Sequence, residues 1–169
     1  MSYLYQLPFG KGQQFLNHGG IVDYVLGGWQ TNGILAVQTG QPFSPVLQTS
    51  TTNTGTGSRP NRAGTGNDPH TLQRWFDTTP FSIPAPYTYG NSGRNIFFGP
   101  GRTNWDASLF KNFVIREQMR VEFRAEAFNV LNHPQFGLPN ASIGNAQVGS
   151  ITSTVGNPRQ LQMGLRFQF

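Results

Sequence analysis

The stretch RQLQMGLRFQF, Arg159–Phe169, alternates apolar and polar side chains up to the last residue of the chain. In a β-strand successive side chains point to opposite faces, so this segment has one apolar face and one polar face. A helix would scatter both sets around its circumference. We therefore predict a strand that ends on an aromatic residue. Its apolar positions are Leu161, Met163, Leu165, Phe167 and Phe169.

The stretch MRVEFRAEAFN, residues 119–129, repeats this alternation. A helix is the alternative, because alanine and glutamate favour helices and Phe123, Ala127 and Leu131 are spaced four apart. On a helix, the positions of Arg120 and Val121 would not fit one consistent apolar stripe, so we predict a strand. The polar positions form a charged ladder of Arg120, Glu122, Arg124 and Glu126, and the opposite positions include Val121, Phe123 and Ala125.

Three further segments predict strands. Near the start, Tyr3 and Tyr5 alternate with Leu4 and Gln6. The segments WQTNGILAVQTG, residues 29–40, and NWDASLFKNF, residues 104–113, show the same period. Between the first two, IVDYVLGG indicates one helical turn from Ile21 to Leu26, ended by Gly27 and Gly28.

The composition favours an all-β chain. Charged residues make up 11% of the 169 residues, well below the roughly 25% of typical domains. The 21 glycines and 12 prolines disfavour long helices. The net charge of +5 is spread from Lys11 to Arg166 without a basic cluster, so no nucleic-acid partner is predicted. Without cysteine, disulfides and thiolate chemistry are excluded.

The connections differ between the two ends of the predicted sheet. We predict about five strands, with short turns after Leu7 and Phe113 and long loops at about 41–103 and 130–158. No apolar run approaches the roughly 20 residues of a transmembrane helix, so any membrane contact would be made by strands. Short connections at one end, long ones at the other and alternating strands are typical of a transmembrane β-barrel. The predicted fold class is all-β, an antiparallel up-and-down barrel portion.

In such a barrel the apolar side chains face lipid and the polar ones face the lumen. The charged ladder would line the wet interior or contact a plug inside it. Lys111 shares the lipid-facing parity, so we expect its ammonium to extend to the membrane interface. The other predicted lipid-facing residues are Leu109, Val121, Phe123 and Ala125, and the predicted interface aromatics are Tyr3, Tyr5, Trp29 and Trp105.

Six segments occur in a fixed order along the chain: YQLPFGKGQQFLNHGG, GGWQTNGILAVQTGQPF, GNSGRNIFFGPG, WDASLFKNF, VEFRAEAFNVLNHPQFG and NPRQLQMGLRFQF. Together they resemble the C-terminal barrel of TonB-dependent receptors of the Oar-like type. The resemblance covers nearly the whole chain. It implies a Gram-negative outer-membrane protein whose extracellular loops capture a glycan, a peptide or a metal chelate.

The resemblance also implies a role for the last strand. Its apolar positions and Phe169 match the insertion signal that the barrel-assembly machinery reads, which would place Phe169 at the periplasmic end. Such receptors carry a plug and about 22 strands, so residues 1–169 would be the C-terminal part of the barrel. An open sheet in lipid loses several kcal/mol for each unsatisfied backbone group. The expected partners are therefore membrane lipid, the remaining strands, the plug and, through the plug, the TonB complex.

No residue pattern predicts catalysis. His18, His70 and His133 lie in separate loops without ligand spacing, so no metal or cofactor is expected. No carboxylate pair or nucleophile can be argued, and we expect that the protein is not an enzyme. Aromatic residues of the first long loop would either contact a ligand or pack the loop on itself. They are Trp75, Phe76, Phe81, Tyr87, Tyr89, Phe97 and Phe98.

Two alternatives remain at this point. One is a secreted β-rich adhesion or carbohydrate-binding module, in which the apolar strand faces would pack against a second sheet. The other is a small barrel formed by several copies of the chain.

Overall fold

The computed structural model describes residues 1–17, 19–54, 57–116 and 118–169. His18 follows Leu7 in the first predicted short connection, Glu117 belongs to the predicted short turn after Phe113, and Gly55 and Thr56 belong to the first predicted long loop; these four residues lie outside the described residues. The elements are β1 Ser2–Gln6, α1 Gly20–Leu26, β2 Trp29–Gln38, β3 Pro42–Phe43, β4 Val46–Leu47, β5 Asn61–Arg62, β6 Phe81–Ser82, β7 Phe97–Phe98, β8 Arg102–Arg116, β9 Met119–Phe128, β10 Ser142–Ile143 and β11 Gln160–Gln168.

Five strands form one sheet in the order β1-β2-β8-β9-β11, which is also their order along the chain. The pairs β1–β2, β8–β9 and β9–β11 are antiparallel. Gly33 lies against the Asp106 carbonyl, and Trp29 lies near Lys111, so β2 and β8 also run in opposite directions. The predicted strands and their up-and-down order are confirmed.

The strand prediction for residues 119–129 is also confirmed. β9 pairs with β8 on one side and with β11 on the other, an arrangement that a helix cannot make. β8 is longer than the alternation predicted, because its pairing with β9 continues through an irregularity near Val114 to Arg116. The connection between these two strands is therefore shorter than the sequence indicated.

The connection between β1 and β2 contains the predicted helical turn, and α1 begins one residue earlier, at Gly20. Gly27 is its C-cap and donates its N–H to the Asp23 carbonyl at 2.8 Å. Gly28 follows with a φ of 70°, a left-handed conformation that glycine adopts without a steric cost. The connection after Leu7 is longer than the predicted short turn, because β2 begins only at Trp29 and α1 lies between the two strands.

The chain divides into two compact units. The sheet unit comprises Met1–Val37, Thr103–His133 and Asn157–Phe169, and the loop unit comprises Gln38–Arg102 and Pro134–Gly156. The two predicted long loops therefore form the loop unit together. β4 of the first loop pairs in parallel with β10 of the second.

The loop unit has its own hydrophobic core, so packing of the loop on itself, one of the two alternatives for its aromatic residues, occurs here. Its buried members are Phe43, Leu47, Phe76, Phe81, Phe97 and Ile143. The backbone at Gly40 lies in close contact with the backbone at Gly99 in this unit. A Cβ at Gly40 would lie 1.7 Å from the Gly99 carbonyl oxygen. Only glycine fits at that position.

Candidate functional site

The candidate functional surfaces are the two faces of the sheet and the exposed part of the loop unit. Strand register brings the predicted lipid-facing side chains together. Leu109 is opposite Ala125, and Ala125 is opposite Met163, so all three share one face of the sheet. The neighbouring rows on this apolar face are Ala107, Ala127 and Leu161; Lys111, Phe123 and Leu165; and Phe113, Val121 and Phe167.

The predicted insertion-signal residues lie on the strand at one edge of the sheet. β11 pairs with β9 alone among the described strands. Leu165 is 63% exposed, although leucine is usually buried in soluble proteins. Leu161, Met163, Phe167 and Phe169 are exposed as well. The last strand therefore presents a continuous apolar surface.

The charged ladder occupies the opposite, polar face. Glu122 lies between Asn112 of β8 and Arg166 of β11 in the register. Arg124 places its Nε 3.8 Å from a carboxylate oxygen of Glu126, and its guanidinium lies 4.7 Å from the centre of the Phe110 ring. The ladder thus carries both charges in alternation, which suits a water-lined wall.

Three of the predicted interface aromatics lie toward the ends of the sheet, and Tyr3 lies nearer its middle. Trp29 begins β2, at the end where β11 finishes, and its ring meets Phe123 edge-on at 5.8 Å. Tyr5 is next to that end, whereas Tyr3 is opposite Gly33 farther along. Trp105 lies near the start of β8, where its carbonyl accepts the Val130 N–H at 2.8 Å.

The structure gives Lys111 a protein partner that the sequence analysis did not identify. This residue is only 3% exposed. Its ammonium donates to the carbonyls of Val25, at 3.0 Å, and Gly27, at the C-terminal end of α1. It also lies 4.9 Å from the centre of the Phe113 ring. A helix C-terminus carries partial negative charge, so α1 supplies the partner that a cation on an apolar face needs.

We expect that Lys111→Met lowers the free energy of unfolding by about 1.5–3 kcal/mol, because hydrogen bonds to a charged donor are worth that much. Methionine retains the apolar stem but leaves the Gly27 carbonyl without its charged donor. Denaturant unfolding of the membrane-reconstituted protein would measure the change. Lys11→Met is the matched control, since the Lys11 residue is exposed and should tolerate methionine. An equal loss in both variants would contradict a specific role for Lys111.

The aromatic residues of the first loop divide into two groups. Phe76, Phe81 and Phe97 pack in the core of the loop unit, so the packing interpretation holds for them. Trp75 packs against that core and donates its Nε1–H to the Phe98 carbonyl at 2.7 Å. The side chains that remain exposed to a ligand are Tyr87, Tyr89 and Phe98.

The loop unit also contains an open, positively charged pocket of about 400 Å³. Arg59 and Arg94 line it, together with Tyr89, and none of the lining residues that the structure describes is acidic. Arg59 is held from one side by a 2.9 Å hydrogen bond to the Ser92 carbonyl. The other residues along the pocket are Ser44, Val46, Gly57, Ser58 and Gly90. Such a lining suits a ligand with carboxylate or phosphate groups.

Asp77 stabilises a turn elsewhere in the loop unit. Its carboxylate accepts the N–H of Thr79 at 3.1 Å and forms an ion pair with Arg74. The Thr79 N–H bond is the largest of the contributions that hold the pKa of Asp77 below its usual value. This carboxylate is therefore a structural acceptor for its own turn.

The two described histidines, His70 and His133, have different surroundings. The His70 ring packs against Trp75 at 5.0 Å, and His133 exchanges hydrogen bonds with Asn129. Within the described ranges, no three histidine, cysteine or carboxylate side chains are close enough to bind a metal ion. No helix among the same residues is long and apolar enough to cross a membrane.

Comparison with known families gives a match over nearly the whole chain. The family described as outer membrane beta barrel domain matches residues 1–162. The chain belongs to this family, and the protein is located in the outer membrane. No curated protein and no solved structure matches the chain. The sheet is therefore barrel wall, and among the described strands it is open, because β1 and β11 each pair on one side.

Proposed function

We propose that the chain is the C-terminal wall of a TonB-dependent receptor of the Oar-like type. One observation supports this most strongly: the apolar face continues across β8, β9 and β11 up to Phe169, while the long connections leave the other end of the sheet. An apolar outer band with long loops at one end suits an outer-membrane transporter. The role is transport and not catalysis.

In this proposal the last strand directs assembly. The barrel-assembly machinery reads the apolar positions of β11 and the terminal Phe169, which lies at the periplasmic end. The loop unit is then extracellular, and the charged ladder faces the lumen and the plug. The two open sheet edges pair with further strands of the receptor, because unpaired backbone groups are costly in lipid.

The loop unit captures the ligand in this proposal. The pocket between Arg59 and Arg94 would bind an anionic group, and the exposed ring of Tyr89 would stack on a sugar or an aromatic chelator. Glycans, peptides and metal chelates can all carry such groups. Transport energy would come from the TonB complex acting on the plug.

A secreted adhesion or carbohydrate-binding module receives less support. In a sandwich the apolar strand faces pack against a second sheet. Met163, Leu165 and Phe167 instead remain exposed. This surface matches a lipid-facing wall better than a sandwich core.

The reading frame upstream of Met1 tests the receptor proposal. We expect the genomic DNA to continue in frame through more alternating strands, a plug domain and a signal peptide. Further strands without a plug would contradict the TonB-dependent role and leave an outer-membrane barrel of another kind. A stop codon and a ribosome-binding site just before Met1 would contradict the proposal that these strands are part of a larger barrel.

A further inference from the structure

Helix α1 exposes apolar side chains, which is the reverse of a helix on the surface of a water-soluble protein. Ile21 is 83% exposed, and four further apolar side chains of this short helix are exposed too: Val22, Tyr24, Val25 and Leu26. The helix has one charged residue, Asp23, whose carboxylate accepts the backbone N–H of Lys11 in the preceding turn. A helix in water normally exposes its polar side and buries its apolar side.

The contacts of α1 place it on the apolar face of the sheet. The Tyr24 ring lies 5.5 Å from the ring of Phe113, which belongs to that face. Trp29 contacts Phe123 on the same face and donates its Nε1–H to the Val25 carbonyl at 3.0 Å. The helix therefore lies on the side that lipid covers in an outer-membrane barrel, at the end where β11 finishes.

Lys111 explains why the helix is held there. A bare ammonium on a lipid-facing surface would be costly. The terminal carbonyls of α1 accept its hydrogen bonds, and the rings of Trp29 and Phe113 lie beside it at 5.5 and 4.9 Å. The C-terminal end of α1 is anchored in this way, whereas Ile21, near the other end, is largely exposed.

We propose that α1 lies in the plane of the membrane–water interface and inserts its Ile21 side among the lipid acyl chains. This inference rests on the proposed orientation of the apolar sheet face toward lipid. Seven residues make a helix of about 10 Å, which can lie in an interface but cannot cross it. The helix is continuous with the apolar face of the strands, and it exposes apolar side chains. Both features fit a bilayer as its surroundings better than water.

Site-specific fluorescence quenching tests the proposal. An environment-sensitive dye would be attached to Ile21→Cys in the full-length receptor, with any cysteine outside these cysteine-free 169 residues replaced. The protein would be reconstituted in phosphatidylethanolamine–phosphatidylglycerol vesicles. We expect blue-shifted emission, strong quenching by lipids with a nitroxide near the headgroup, and little quenching by aqueous iodide.

Two control positions separate this inference from the barrel proposal. Leu165→Cys reports the apolar sheet face and should be quenched by nitroxide deep in the acyl chains. Ile83→Cys, an equally conservative change at an exposed loop-unit residue, should be quenched by iodide alone. If Leu165→Cys contacts lipid but Ile21→Cys behaves like Ile83→Cys, the helix inference is wrong and the barrel proposal stands.

Two other outcomes would overturn the inference. Shielding of the Ile21→Cys dye from both quenchers would mean that a protein surface, such as a second copy of the chain, covers the helix. Absence of lipid quenching at Leu165→Cys would contradict the lipid-facing orientation of the sheet, and with it the assignment of α1 to the interface.

Discussion

Replacing Phe76 by alanine is expected to lower the free energy of unfolding of the loop unit by about 3–5 kcal/mol. Phe76 is fully buried, and its ring contacts those of Phe43, Phe81 and Phe97 at 4.8–6.3 Å. Alanine would leave a cavity where three aromatic rings now meet, and these rings would lose their edge-on and tilted contacts. Protease cleavage of the loop unit in intact outer membranes would measure how often it opens.

Phe98→Ala is the matched control for this prediction. Phe98 follows Phe97 in β7 but is 61% exposed, so its truncation should change loop-unit stability little. The hydrogen bond that Trp75 donates to the Phe98 carbonyl is unaffected by the change of side chain. Equal protease sensitivity in Phe76→Ala and the parent protein would show that this aromatic cluster does not stabilise the loop unit.

Leu165→Arg is expected to destabilise the membrane-inserted barrel by about 2–4 kcal/mol, the cost of arginine on the lipid face near mid-depth. Because Leu165 is exposed, this change distinguishes a surface covered by water from one covered by lipid. An arginine at an exposed position in water would cost almost nothing, whereas in lipid it loses its hydration. Denaturant titration of the protein in vesicles, followed by its heat-modifiable migration in gels, would measure the difference.

Gln162→Arg provides the comparison on the same strand. Gln162 is opposite Glu126 and belongs to the polar face, so arginine there should be tolerated in a water-lined lumen. A loss at Gln162 as large as that at Leu165 would contradict the assignment of the two faces.

The strands of the sheet unit could be predicted because their signal is local. An alternation of period two fixes both the strand and the face of each side chain, and β9 and β11 carry it over their full length. Chain order then predicts an up-and-down sheet, since consecutive antiparallel strands tend to pair. The only uncertainty in β9 came from residues such as Ala125 and Glu126, which also favour helices.

The loop unit could not be predicted for the opposite reason. Its strands are two residues long, too short to show a period, and its core joins side chains far apart in the sequence, such as Phe43 and Ile143. Loop aromatics indicated either packing or binding, but nothing local separated Phe97, which is buried, from Phe98, which is exposed.

The two partners of Lys111 could not be read from the sequence because they are backbone carbonyls, which every residue carries. One signal was nevertheless present. A lysine on an apolar face needs a nearby acceptor, and the helical turn predicted at Ile21–Leu26 ends in free carbonyls that could supply one.

The pairing of β4 with β10 also sets an order of events during folding. These two segments lie on opposite sides of the β8–β9 hairpin in the sequence, so direct encounter between them is entropically costly. Once the hairpin has formed, the start of β8 and the end of β9 are held close together. The stretch of chain that separates β4 from β10 is then effectively shorter. The β4–β10 pair, and with it the burial of Ile143 against the aromatic core, should therefore form only after the hairpin has formed.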